Sequence, residues 1–90
     1  MKDYTKEDIE RLIGLIIRQV QQDKKIEISP DKKLFEDLGL DSIQFVSVLV
    51  ELEVQFEFQF DNETFGKLYD MTISQIVDYI FSIRKGKQDA

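Results

Sequence analysis

The chain has 90 residues, 33% of them charged, with a formal net charge of −6 and neither cysteine nor histidine. These absences exclude disulfides, thiolate nucleophiles and thiolate metal sites, and remove the commonest general base and metal ligand. So short a chain makes one small domain with a modest core, where a deep substrate cavity and a full catalytic constellation fit poorly.

The charge is unevenly spread. Residues 34–66 hold 8 acids and no Lys or Arg, while the rest of the chain holds 10 acids and 12 bases. Such a segment disfavours nucleic acid and steers a basic protein partner, or else is merely a solvated face. No run approaches the roughly 20 apolar residues of a membrane span. The start, Met1 to Asp8, is charged and lacks the apolar stretch of a signal peptide. A soluble, cytoplasmic protein is expected.

Taken in chain order, Ile9, Leu12, Ile13, Ile16, Ile17 and Val20 recur at helical spacing and predict a helix over about 5–22. Thr5 is its expected cap, with Asp8 three residues on. Residues 23–41 then read as a long connection with a Ser29-Pro30-Asp31 turn. Leu34, Phe35 and Leu38 are expected to tuck this loop onto the core, and Gly39 to give backbone freedom before the next helix.

A second helix is predicted over 42–56, capped by Asp41, with Val46, Leu49, Leu52, Val54 and Phe56 as much of its apolar surface. The stretch Phe56-Glu57-Phe58-Gln59-Phe60 alternates like a strand. A lone strand has no partner here, so it reads as helix end and extended loop. Asp61-Asn62-Glu63 marks a turn and residues 64–69 a short helix. The last helix is expected over 72–84, with Thr72 and Gln75 in capping-box spacing and Ile73, Ile76, Val77, Ile80 and Phe81 on one face. Arg84 and Lys85 suit its negative C-terminal end, and residues 86–90 read as a frayed tail. The expected fold is all-α: a small antiparallel four-helix bundle, three main helices and one short, with a long first loop.

The most informative stretch is Asp37-Leu38-Gly39-Leu40-Asp41-Ser42-Ile43. It resembles the signature of the acyl and peptidyl carrier proteins, an acidic-Leu-Gly-x-Asp-Ser-Leu run entering a helix, with Ile43 in place of the commoner leucine. The resemblance extends through the second helix, the acidic turn at Asp61 and the last helix opening at Thr72-Ile73, nearly the whole chain. It implies that Ser42 carries 4′-phosphopantetheine, transferred from coenzyme A by a phosphopantetheinyl transferase. It further implies a non-enzymatic shuttle that holds acyl or aminoacyl groups as thioesters, for which a monomer is the default expectation. The expected partners are the loading enzyme and downstream enzymes of fatty acid, polyketide or nonribosomal peptide synthesis. Asp41 is expected to cap the helix and assist transferase recognition.

The physics of the position agrees, because a serine in the first helical turn sits beside unpaired amides that favour an attached phosphodiester. An Asp-Ser pair alone is more often just a cap. The Leu-Gly-x prefix, the acidic segment and the helix order favour attachment, with which capping is compatible. Ser42 as a hydrolase nucleophile is disfavoured, because the chain has no Gly-x-Ser-x-Gly elbow and no histidine. Asp61-Asn62-Glu63 lacks the alternating ligands of a calcium loop, and Glu36 and Asp37 read as solvated charge. Phe35, Phe45, Phe56, Phe58, Phe60 and Phe65 read mostly as core. The alternative from another class is an unmodified helical interaction domain of the same fold.

One departure stands out. The residues expected to face partners are Leu40, Ile43, Gln44, Ser47, Val50, Glu53 and Val54, of which Glu53 alone is charged, with Glu51 nearby. Carrier proteins of fatty-acid synthesis usually show several acids there. Either Ile43, Val50 and Val54 form an apolar docking patch for other partners, or the long loop or Phe58 covers Val50 and Val54.

Overall fold

The computed structural model describes residues 4–23 and 25–89, and the side chains up to residue 84. Helix α1 spans Lys6–Gln21. Its start is a reciprocal capping box: the Thr5 hydroxyl accepts the Asp8 N–H and the Asp8 carboxylate accepts the Thr5 N–H, both at 3.1 Å. It ends at Gln22, which turns left-handed (φ 56°) and donates its N–H to the Arg18 and Gln19 carbonyls. Ile9, Ile13, Ile16 and Ile17 are buried, so the spacing read from the sequence does mark the core face.

The long connection is ordered by its own turns and by the end of another helix. The Lys32 N–H reaches the Ser29 carbonyl (3.1 Å), and the Ser29 hydroxyl donates to the Asp31 carboxylate at 2.6 Å. That hydroxyl is the main reason the Asp31 carboxyl sits below its ordinary 3.8. Leu34 and Leu38 plug the core, and Gly39 takes φ 72°, a region glycine enters without steric cost. The loop carbonyls of Lys32 and Pro30 accept the N–H groups of Ile73 and Ser74, both at 2.9 Å. With Gln75 N–H on the Thr72 hydroxyl, the first three amides of the last helix are satisfied.

Helix α2 spans Ser42–Phe56, α3 Asn62–Lys67, followed by a 3-10 turn Leu68–Asp70, and α4 Ile73–Asp89. α1 packs against both α2 and α4. The Tyr4 ring meets Phe56 edge-on at 4.9 Å, while Ile16 and Val20 line one groove with Val46 and Val50, so α1 and α2 run antiparallel. Lys6 pairs with Asp78 at 3.1 Å and lies over Phe81, which sets α4 antiparallel to α1 as well. The result is the all-α bundle expected, with no strand among the described residues.

Four details differ from the sequence reading. On α2 the buried residues are Phe45, Val48, Leu49, Leu52 and Phe56, whereas Val46 and Val54 are exposed. α2 is apolar on nearly every side, so periodicity does not pick a face and packing against α1 does. The short helix starts at Asn62 rather than 64, because the Asp61 carboxylate takes the Thr64 N–H at 2.7 Å and caps it. α4 continues through Gly86 to Asp89 instead of ending at 84, a single glycine costing a helix only about 1 kcal/mol. Arg84 does not serve the end of its own helix: it is buried and donates to the Phe56 carbonyl. Met1 to Asp3, the Lys85 side chain and Ala90 lie outside the described residues.

Candidate functional site

The segment around Ser42 is held by two buried anchors. Leu40 is 2% exposed and its N–H donates to the Leu34 carbonyl at 3.1 Å. Phe45 is fully buried and shares a ring cluster with Phe35 and Tyr69, with centroids 4.5–4.7 Å apart. Between these anchors Asp41, Ser42 and Ile43 stand exposed. The backbone entering α2 is thus fixed on both sides of a serine that faces solvent.

Asp41 has extended backbone (φ −81°, ψ 177°), and its carboxylate accepts the Gln44 N–H at 2.8 Å. The Gln44 amide oxygen accepts the Asp41 N–H in return at 3.1 Å. The first helical bond is Phe45 N–H to the Asp41 carbonyl at 2.8 Å. The N–H groups of Ser42 and Ile43 therefore have no acceptor within the helix and mark its electropositive end. A phosphodiester on Ser42 would meet these donors. Asp41 is exposed beside Ser42, while in the preceding loop Glu36 pairs with Lys33 at 3.5 Å and the Asp37 carboxylate accepts the Lys33 N–H at 2.8 Å.

The residues expected to face partners separate into three groups. Ile43, Val50 and Val54 are 80%, 47% and 66% exposed, and Val46, read on sequence as part of the apolar surface of α2, joins them at 44%. Ser47 is also exposed. Neither the long loop nor Phe58 covers Val50 and Val54, and Phe58 is itself buried beside Phe60. Gln44 is half-buried and occupied in the capping box. Two are corrected. Leu40 belongs to the core, because the turn before it aims its side chain inward, and Glu53 is half-buried with its carboxylate accepting the Phe60 N–H at 2.9 Å. Glu53 ties the α2–α3 loop to α2 and leaves the exposed stripe without that charge.

The reciprocal role of Gln44 was legible in the spacing Asp-x-x-Gln, the same pattern that marks Thr72 and Gln75. Glu53 carried no local signal, since its acceptor role depends on where Phe60 returns. No group of His, Cys, Asp or Glu able to hold a metal occurs among the described residues, and none of their helices is long and apolar enough to cross a membrane.

Residues 10–80 match the family described as Phosphopantetheine attachment site. The chain is similar to an acyl carrier protein of Chlorobium phaeobacteroides, at 34% identity over 71 residues, 79% of this chain and 87% of that one. It is 32% identical over 74 residues to an acyl carrier protein of Rickettsia bellii, covering 82% of this chain and 84% of the other. An acyl carrier protein of Chlorobium phaeovibrioides shares 39% over 56 residues, 62% of this chain and 69% of that protein. An exposed serine at a capped helix start and a match that spans most of the bundle lead to one assignment: the chain belongs to the phosphopantetheine-binding carrier family of the acyl and peptidyl carrier proteins.

Proposed function

We propose that Ser42 is the attachment residue, and that the chain shuttles acyl or aminoacyl intermediates between partner enzymes. The observation that carries this reading is the placement of Ser42: solvent-exposed, at the first position of α2, between the buried anchors Leu40 and Phe45. The residues fit a 4′-phosphopantetheine group. A phosphodiester on Ser42 Oγ would be held by the amides of Ser42 and Ile43, where an anion is favoured. When bound, the arm supplies a terminal thiol for holding acyl groups as thioesters, a sulfur that this cysteine-free chain lacks.

The residues of the chain then divide the work. Asp41 holds the helix start through Gln44 and keeps a carboxylate exposed beside Ser42 for the transferase. In loading, Ser42 Oγ bonds to the pantetheine-side phosphorus of coenzyme A, the pyrophosphate link breaks, 3′,5′-ADP leaves, and the serine proton passes to the transferase. The exposed Ile43, Val50 and Val54 form an apolar docking stripe, which favours partners in a specialised polyketide, nonribosomal peptide or fatty-acyl pathway over those that read acidic helices. The chain works as a cytoplasmic monomer.

Intact-protein mass after incubation with coenzyme A, magnesium and a broad-specificity phosphopantetheinyl transferase tests the reading. A phosphopantetheine-sized gain on the native chain and none on Ser42→Ala is expected. No gain on the native chain, with the transferase active on a second carrier, would replace the proposal with an unmodified interaction domain.

A further inference from the structure

Ser42 stands at one end of the bundle, and two seams lead inward from it. One runs between the end of α1 and the loop that enters α2. It is closed by the Gln21 side chain, which donates to the Leu38 carbonyl at 2.9 Å. The other runs between that loop, α2 and the 3-10 turn, and three rings fill it: Phe35 from the loop, Phe45 from α2 and Tyr69 from the turn. Phe45 lies one helical turn beyond Ser42, and the Phe35 carbonyl accepts the N–H of Gly39, three residues before Ser42, at 3.2 Å. Each ring meets the other two, with centroids 4.5–4.7 Å apart.

The walls of this second seam are tied to each other through backbone. Lys33, two residues before Phe35, bridges Thr72, three residues after Tyr69. The Lys32 and Pro30 carbonyls hold the Ile73 and Ser74 N–H groups at 2.9 Å. Leu34 and Leu68, which directly precede Phe35 and Tyr69, are fully buried. The loop and the turn therefore part only by losing backbone hydrogen bonds and core packing together. The hollow of about 460 Å³ between α1 and α2 is a different feature: an open groove on the outer surface, lined by Val20, Val46 and Val50 and by none of the three rings.

The hydrophobic effect says what this closure means for a group tethered to Ser42. A long alkyl chain gains by leaving water in proportion to its length, whereas a short acyl or aminoacyl group gains little and carries polar atoms that are costly to bury. Apolar ligands of helical bundles lie between the helices, in space that side chains leave free. Beside Ser42 that space is taken by rings whose contacts with one another are themselves favourable.

We infer that the Phe35, Phe45 and Tyr69 cluster closes the bundle to the group carried on Ser42, and that the cargo is an aminoacyl or short acyl group that needs no apolar shelter. The inference rests on Ser42 being the attachment residue and adds the class of cargo to it. Tyr69, 44% exposed, is the outermost ring and keeps the seam shut over the buried Phe45.

The test uses the full chain, loaded on Ser42 from acetyl- or octanoyl-coenzyme A by a broad-specificity transferase. Hydroxylamine, which takes the acyl group from sulfur and frees the thiol, reports how exposed each thioester is. On the native chain the octanoyl and acetyl thioesters should be cleaved within about threefold of each other. Their melting temperatures should agree within about 1 °C, since an unburied chain does not bind the folded state. On Tyr69→Ala, with its fold checked by melting before loading, the octanoyl thioester should be cleaved more than about threefold slower than the acetyl one. Slower cleavage of octanoyl on the native chain, with amide shifts at Phe45, Leu49 and Leu68, overturns the inference. Equal cleavage on folded Tyr69→Ala overturns the ring cluster as the closure. Mass of the arm released from the chain purified from its own cells identifies the cargo, and a long alkyl chain there also overturns the inference. Absence of any loading of the native chain overturns the Ser42 reading instead, so the two failures are distinct.

Discussion

Arg84 of α4 donates from Nη1 to the backbone carbonyl of Phe56 at 3.1 Å, and so caps the end of a helix other than its own. Its guanidinium also lies over the Tyr4 ring at 5.5 Å and reaches the Glu57 carboxylate at 3.8 Å. One buried cation thus joins the start of α1 and the end of α2 to the body of α4. Replacement by Met should keep the volume and remove the bond, leaving a buried carbonyl without its donor. Arg84→Met should lose about 2 kcal/mol by urea denaturation, the scale of a hydrogen bond to a charged group. Glu57→Gln, at an exposed end of the same network, should lose less than about 1 kcal/mol.

Asp41 has two separable roles. Asp41→Ala removes the cap and should cost about 1 kcal/mol, while Asp41→Asn retains an acceptor for the Gln44 N–H and should hold near-native stability. If the charge also serves the transferase, Asn should slow Ser42 loading roughly tenfold at unchanged melting temperature, a loss of about 1.4 kcal/mol in the transition state. Loading rates equal to native for Asn would restrict Asp41 to capping.

Gly39 offers a clean test of backbone strain. Its φ is 72° and nothing lies within 4 Å of an added Cβ, so any cost of Gly39→Ala comes from the left-handed backbone and not from a clash. A loss of about 1 to 2 kcal/mol is expected, and Gly39→Asn should recover part of it because asparagine tolerates that region. Equal melting temperatures for Ala and Gly would refute the strain argument.

Neighbouring residues on α2 should respond very differently to truncation. Leu49 is fully buried, so Leu49→Ala should lose about 2 to 5 kcal/mol. Val50→Ala and Val54→Ala, on the exposed stripe, should stay within about 0.5 kcal/mol of native. Docking should follow the opposite order, with partner affinity falling for the Val50 and Val54 variants. Unchanged affinity with lowered stability would remove the stripe as a docking surface.

The acid limb of stability contains a contribution from Asp61. Its carboxyl is held below the ordinary 3.8 first by the Thr64 N–H and then by the Thr64 side chain. A carboxylate depressed by folding stabilises fully above 3.8 and loses that effect as pH falls through its folded-state value. The native chain should therefore melt above Asp61→Asn at neutral pH, and the gap should close toward pH 2. A gap independent of pH would mean that the charge plays no part in the cap.

Much of this fold was legible because the deciding signals are local. The Thr5 and Thr72 caps, the Ser29-Pro30-Asp31 turn, the φ of Gly39 and the core faces of α1 and α4 depend on residues within about one helical turn of each other. The attachment motif was readable for the same reason, since Asp37 to Ile43 is contiguous. Asp-x-x-Gln at Asp41 and Gln44 was equally local and shows that a partner-facing residue is also a cap.

The rest depended on where distant segments meet. Which side of α2 is buried was undetermined by an almost uniformly apolar helix, and packing on α1 chose Phe45 and Val48 over Val46 and Val54. The inward turn of Leu40, the bond from Glu53 to the Phe60 amide and the reach of Arg84 to Phe56 join segments that no short-range pattern links. Sequence by itself determined the helices, their caps and the serine at the start of α2, because backbone hydrogen bonding and side-chain spacing are satisfied within each segment. Only the tertiary structure decided which apolar residues remain outside and form a groove with α1, because burial is a property of the packed chain and not of any one helix.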